Sequence, residues 1–249
     1  MRRILIVAAV LAVAAAAVPG LQPAARAGTE CNGLLVCIPV AGPWVKIRPQ
    51  SGSHRVATLY QLSCPMSSVI GGLDAEVTHR SIDVSFAGSL GGPVSPGVTT
   101  RTAAVFAATE TGRRPLPTAF RPLLGCIPGG GGGRGRTSRP PARSLTSALA
   151  APSAAPGEPT VLRVRSFPVR SGRPTVVSSG CRPDERLVSS AHAIAFHTRR
   201  APSARQLSEV ESAATVRGRR IRVRARADAA VSALRVSVQI QAVCARPNP

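Results

Sequence analysis

Two cysteine pairs of nearly equal span restrict this chain more than any other feature. Cys64 and Cys126 lie 62 positions apart, and Cys181 and Cys244 lie 63 apart. Between them runs GGGGGRGRTSRPPARSLTSALAAPSAAPGEP (129–159), five glycines followed by Arg, Ser, Pro and Ala with no periodic apolar residue. Such a stretch buries too little apolar surface to offset the entropy of ordering it. It reads as a linker, flexible at its glycine end and stiffer where the prolines sit. Equal spans on both sides of a linker indicate two modules of one architecture, 28–128 and 160–249. Cys31 and Cys37 complete the set of cysteines. Six cysteines allow about fifteen connectivities, and proximity and the repeat favour Cys31–Cys37, Cys64–Cys126 and Cys181–Cys244. In the chain-entropy picture each long loop contributes about 4 kcal/mol. That contribution matters because aromatic residues are only 3% of the chain, so the cores must be built from small aliphatics.

At the N-terminus Arg2 and Arg3 precede an apolar run from Ile4 to Val18, and Ala25-Arg26-Ala27 offers a small-x-small cleavage site. This layout predicts a secretory signal peptide over 1–27, with cleavage before Gly28. The apolar run is short for a membrane span, and nothing similar recurs. Cysteines confined to the remainder fit an oxidising destination. The expected location is therefore extracellular, released or associated with the cell wall.

The basic residues are 31 Arg and a single Lys, Lys46. That skew is what GC-rich codon usage produces, so the distribution of charge is more informative than the total. Residues 28–128 carry net +3, the linker +3, and residues 160–249 carry +12. A uniform codon bias does not place two-thirds of the excess in one module, so the second module is the one suited to anionic partners.

Period-two alternation dominates both modules, and no stretch sustains helical periodicity. In the first, Val56, Thr58, Tyr60, Leu62 and Cys64 share a face, which turns Cys64 inward. Leu73, Ala75 and Val77 alternate with Asp74 and Glu76; Ile82, Val84 and Phe86 alternate with Asp83 and Ser85. Four residues (78–81) separate these runs, which predicts a hairpin. In that register Glu76 lies opposite Asp83, with Asp74 one pleat away. Opposed like charges repel. Compensation would come from an arginine such as Arg80, a bound calcium ion on Asp74, Glu76 and Asp83, or a raised carboxyl pKa, and a slipped register would remove the need for it. Asp74, Glu76 and Asp83 are also the carboxylates from which a glycosidase-like hydrolase would draw its two catalytic acids. Trp44, the only tryptophan, reads as core, with a stacking platform as the alternative. Cys31–Cys37 brackets a short apolar loop. Without a second close Cys or His pair it reads as a structural staple, not a metal site.

In the second module His192, Ile194 and Phe196 share one face of a strand and His197 takes the other, so the two histidines cannot chelate one metal. The segment 207–216 fits either a strand or a short helix. Arg220, Arg222, Arg224 and Arg226 alternate with Ile221, Val223 and Ala225. Leu234, Val236, Val238, Ile240, Ala242 and Cys244 form an inward face opposite Arg235, Ser237, Gln239 and Gln241, expected to be solvated. The arginine ladder is the candidate anion-binding site. A solvated edge strand whose charges prevent edge-to-edge pairing is the alternative.

At CPMSSVIGGLDAEV (64–77) and GCIP (125–128), the first module resembles a β-module repeat of secreted proteins from GC-rich Gram-positive bacteria, bracketed by Cys-Pro, Gly-Gly and a closing Cys. CRPDERLVSSAHAI (181–194) and AVCA (242–245) resemble it more loosely, with Arg182 before the proline and Ser189-Ser190 in place of the glycines. The resemblance implies secretion and a β fold; it implies no activity.

No G-x-S-x-G elbow, H-E-x-x-H, P-loop or zinc spacing is present, and the basic module lacks the stacking aromatics of nucleic-acid readers. The sequence therefore predicts an all-β protein of two antiparallel sandwich-like modules, each tied by its own disulfide. Its expected role is that of a non-catalytic envelope or extracellular binding or structural protein without a resident cofactor. Its expected partners are anionic polymers, wall teichoic acids or acidic polysaccharides ahead of nucleic acid. The alternatives are a secreted hydrolase and an inhibitor of an extracellular enzyme.

Overall fold

A computed structural model describes residues 29–49, 56–87, 102–112, 117–129 and 160–245. The expected signal peptide and all of the expected linker beyond Gly129 lie outside these residues. The fold is all-β. In the first half the strands are β1 (Ile38–Ala41), β2 (Trp44–Lys46), β3 (Thr58–Ser63), β4 (Ser68–Val77), β5 (Ile82–Ala87), β6 (Ala103–Glu110) and β7 (Ala119–Pro128). The second half adds β8 (Thr160–Val169), β9 (Thr175–Gly180), β10 (Arg186–Phe196), a short helix α1 (Ala204–Ser208), β11 (Val210–Arg217), β12 (Arg220–Ala227) and β13 (Val236–Ala245). The ambiguous segment at 207–216 thus divides. Ser203 caps α1 by accepting from the Gln206 amide, while the Gln206 side chain accepts from the Ser203 amide; strand β11 begins two residues after the helix ends.

Among the described residues the pairings between these strands are all antiparallel and fall into three sheets. The largest runs β1-β7-β2-β10-β13-β8, with β4 also on β7; the others are β3-β6-β5 and β9-β12-β11. The strands do not divide into separate sandwiches at the linker. Strand β2 of the first half pairs with β10 of the second, Val45 opposite Ala195 and Trp44 opposite Phe196, and one seven-stranded sheet spans both halves.

Alternation along the central sheet explains the layering. On one face Val45, Phe120, Leu124, Ala193 and Ala195 pack with Tyr60, Ile82, Phe106 and Ala108 of the β3-β6-β5 sheet. On the other face Trp44, Ile194, Phe196, Val236, Val238 and Ile240 pack with Val210, Ile221, Val223 and Ala225 of the β9-β12-β11 sheet. The small sheets therefore cover opposite faces of the large one, and each core contains residues from both halves. This arrangement corrects one expectation. The Ser237/Gln239/Gln241 row is buried, not solvated, because the first half covers it. Gln239 Oε1 accepts from the Gln61 amide at 2.7 Å, and its Nε2 donates to the Gln61 carbonyl at 3.0 Å.

All three disulfides form as the spacing favours: Cys31–Cys37, Cys64–Cys126 and Cys181–Cys244. Cys126 and Cys244 lie fully within the cores. Among the described residues no helix is long and apolar enough to cross a membrane.

The expected 73–86 hairpin does not form. Strand β4 pairs with β7 in the large sheet, whereas β5 pairs with β6 in a small one. The 78–81 connection carries the chain from one layer to the next, with the Thr78 amide and hydroxyl both donating to the Ala119 carbonyl. Alternation of period two is the same for a hairpin arm and for a strand that changes sheet, so the pattern alone does not distinguish them.

Candidate functional site

The carboxylates expected to cluster are distributed by that change of sheet. Asp74 accepts from the Thr29 amide at 3.1 Å and the Thr29 hydroxyl at 2.8 Å, pinning the 29–31 turn to the sheet. Glu76 pairs with Arg121 at 3.6 Å. The compensating arginine is thus Arg121, directly opposite on β7, and not Arg80. Asp83 lies on β5 opposite Thr109, in a different sheet. Asp74 and Glu76 remain neighbours along β4 but are committed to separate partners, so the trio forms neither a cation cage nor an acid pair. Among the described residues the group of ligand-type atoms that does converge is Cys181, Glu185 and Cys244. Both sulfurs are consumed by their disulfide, and Glu185 is engaged by Arg163 in a two-pronged ion pair at 2.6 and 3.0 Å.

The arginine ladder forms as its alternation requires. On β12 Ile221, Val223, Ala225 and Ala227 are buried, while Arg220, Arg222, Arg224 and Arg226 are exposed. However, β12 is the central strand of its sheet, with β11 on one side and β9 on the other. Both hydrogen-bonding edges are filled, so the row guards no open edge, and that alternative explanation of the charges does not apply. The face the four arginines share is completed by their register partners. On β11 these are Glu211, Ala213, Thr215 and Arg217; on β9 they are Val176, Ser178 and Gly180. Most of these neighbours are small, which leaves the guanidinium groups standing proud. Arg220 Nη2 donates to Ser178 Oγ at 3.0 Å. Among the described residues the ion pairs are Arg121–Glu76 and Arg163–Glu185, and none involves this face.

A second feature escaped the sequence reading. Where the chain continues from β2 it meets β10 and β11 at a cleft of about 520 Å³, whose polar lining includes Lys46, Arg48, His192, Ser208, Glu211 and Ser212. Trp44, Lys46 and Arg48 alternate with Val45 and Ile47, which are buried on the opposite side. Arg48 Nη2 donates to His192 Nδ1 and to the His192 carbonyl, both at 2.6 Å. Lys46 Nζ donates to the Val210 carbonyl at 2.7 Å. Burial lowers the pKa of Lys46, with Glu211 acting in the opposite sense, and burial lowers that of Arg48. His192 is pushed down to about 3, first by burial and then by the Arg48 charge.

His192 Nε2 lies 3.1 Å from Ser212 Oγ, the separation of a serine–histidine catalytic couple. The polarity is reversed, however. A guanidinium only donates, so Nδ1 must accept and the ring proton resides on Nε2, which donates to Ser212. In that tautomer the imidazole cannot take the serine proton, and an arginine stands where a triad places its orienting carboxylate. Trp44, the other candidate ligand platform, is buried in the core against Phe196 with the Arg121 guanidinium 5.9 Å from its ring. The signal for the cleft was legible in outline: charges at alternate positions of a strand whose other face is apolar. The tertiary partner of that face was not. No family model, curated protein or solved structure matches this chain.

Proposed function

We propose that this is a secreted, non-catalytic binding protein of the cell envelope or extracellular space that holds anionic polymers on the arginine face of the β9-β12-β11 sheet. The observation that carries the reading is the exposed row Arg220, Arg222, Arg224 and Arg226 on a central strand, without an ion pair among the described residues, joined by Arg217 and relieved by one acid, Glu211. Successive outward residues on a strand are about 6.5–7 Å apart, so the row spans about 20 Å, long enough for several repeats of a charged polymer. Guanidinium forks suit carboxylate and phosphate oxygens alike. Three disulfides and the signal-like N-terminus support the location, where teichoic acids and acidic polysaccharides are the polyanions at hand.

The test is retention of the mature chain on purified cell wall and on an acidic polysaccharide as NaCl is raised. Exposed charges are screened beyond about 8 Å at physiological ionic strength, so retention should fall steeply with salt. Replacing all four arginines by glutamine should weaken it at least ~10-fold, about 1.4 kcal/mol. Retention that ignores salt, or survives the replacement, defeats the proposal.

A further inference from the structure

We propose that the cleft between β2, β10 and β11 is a separate site for a small oxyanion-bearing molecule, a carboxylate or phosphate on a body of monosaccharide size, anchored by Arg48 and Lys46. The first argument is charge. Two cations two residues apart face one partly buried space, and the acid among the residues lining it is Glu211. Both side chains are half-buried, which weakens the hydration of their charges, and Arg48 has no carboxylate partner among the described residues. A structural clamp on His192 needs only Nη2, which already serves both Nδ1 and the carbonyl. The Nε and Nη1 donors of the same fork have no partner among the described residues.

The second argument is donor inventory. Lysine and arginine only donate, and Lys46 spends one of its three donors on Val210. Ser212 receives the His192 proton, which leaves its own hydroxyl hydrogen free to point at an acceptor. A site with this surplus of donors selects an acceptor-rich anion over a cation or a neutral apolar ligand. The third is size: about 520 Å³ falls within the range of ~300–1,000 Å³ usual for small-molecule pockets and exceeds what a bare inorganic ion fills. Ser208, whose hydroxyl donates to the Arg205 carbonyl, and Glu211 in the lining offer acceptors to hydroxyl groups on such a body. The lining residues on β2 and β10 are separated from the polymer-binding face by the small sheet itself, and Glu211 is the residue common to both.

The experiment is calorimetric titration of the mature chain with glucuronate, glucose 6-phosphate and glucose. Saturable binding of either acid, with glucose inert, is the expected result; which acid binds identifies carboxylate or phosphate as the anion. Lys46→Met should weaken that binding at least ~10-fold, and Glu211→Gln should tighten it a few-fold by removing a repelling charge. A purely structural role for these residues moves neither value. Arg48→Met is the more direct variant; should it fail to fold, the Lys46 and Glu211 variants still decide. Arg222→Gln/Arg224→Gln should leave the affinity unchanged, which separates this site from the arginine face. Failure of both acids to bind, equal binding of glucose, or affinities unmoved by Lys46→Met and Glu211→Gln would overturn the proposal.

Discussion

His192 shows how far a residue's chemistry depends on what packs against it. It is an imidazole with an ordinary solution pKa near ~6.5, held neutral in the fold because burial opposes a charge and the Arg48 guanidinium, donating to Nδ1, repels one. Arg48 from the β2 side and Ser212 from β11 bond its ring, and Lys46 and Glu211 are the other charged residues lining the same cleft. With a folded pKa of about 3, the unfolded chain binds the extra proton between about pH 3 and pH 6.5. Stability therefore rises with pH through that window and is lost as pH falls, by up to about 1.4 kcal/mol per pH unit. Urea unfolding at pH 7 and pH 5 should show this loss, and His192→Asn should reduce it. An identical pH slope in the two proteins would mean that the loss comes from other groups, among them His197, whose pKa burial and then the Arg235 charge also lower.

At the scale of elements, Gly72 of β4 and its register partner Gly125 on β7 have a packing reason. The backbone of the 29–31 turn lies directly on the sheet at Gly72 and Gly125, and a Cβ at these positions would fall 1.8 and 2.1 Å from the Glu30 carbonyl oxygen. A backbone atom cannot swing aside as a side-chain tip does. Gly72→Ala should therefore lift the turn, break the bonds from Thr29 to Asp74, and cost about 1–3 kcal/mol. Thermal unfolding, with the Cys31–Cys37 bond intact, reads this cost. A melting temperature equal to the parent's would show that the turn is not seated there. The register shift between Ile70 and Gly72 belongs to the same device: one extra residue restores Leu73 to the face already occupied by Ile70, so both pack against the first core. The Gly-Gly pair was visible in the sequence as a motif; the turn that requires Gly72 comes from more than forty positions upstream, while Gly71 sits against the Ile127 and Leu34 side chains.

For the whole molecule, the shared sheet makes a prediction that two free modules would not. Protease should cut first within 129–159, where composition is least able to order the chain. The nicked protein should nevertheless elute as one species. Strand β2 remains hydrogen-bonded to β10, Trp44 remains in the second core, and Gln61 remains bonded to Gln239. Size-exclusion chromatography under native conditions is the measurement. Separation of the two fragments without denaturant would show that the sheet across the halves does not hold them.

Much of this protein was decided locally and was legible as such. Residues on a strand alternate faces whatever lies beyond them, so the all-β class, the exposed arginines of β12 and the inward Cys244 followed from period two. Cysteine spacing and the internal repeat favoured the correct disulfides because a wide loop closes where both ends already face a core. What alternation leaves open is which layer a strand joins and what covers each face, for those depend on contacts between residues far apart in sequence. That is why the 73–86 segment became a change of sheet and scattered Asp74, Glu76 and Asp83. It is also why a glutamine row that looked solvated is buried against Gln61. The cleft of Lys46, Arg48, His192 and Ser212 exists only because β2 and β10 meet. Four polar residues spread over more than 160 positions become one site through the packing of sheets, a long-range event that no local pattern encodes.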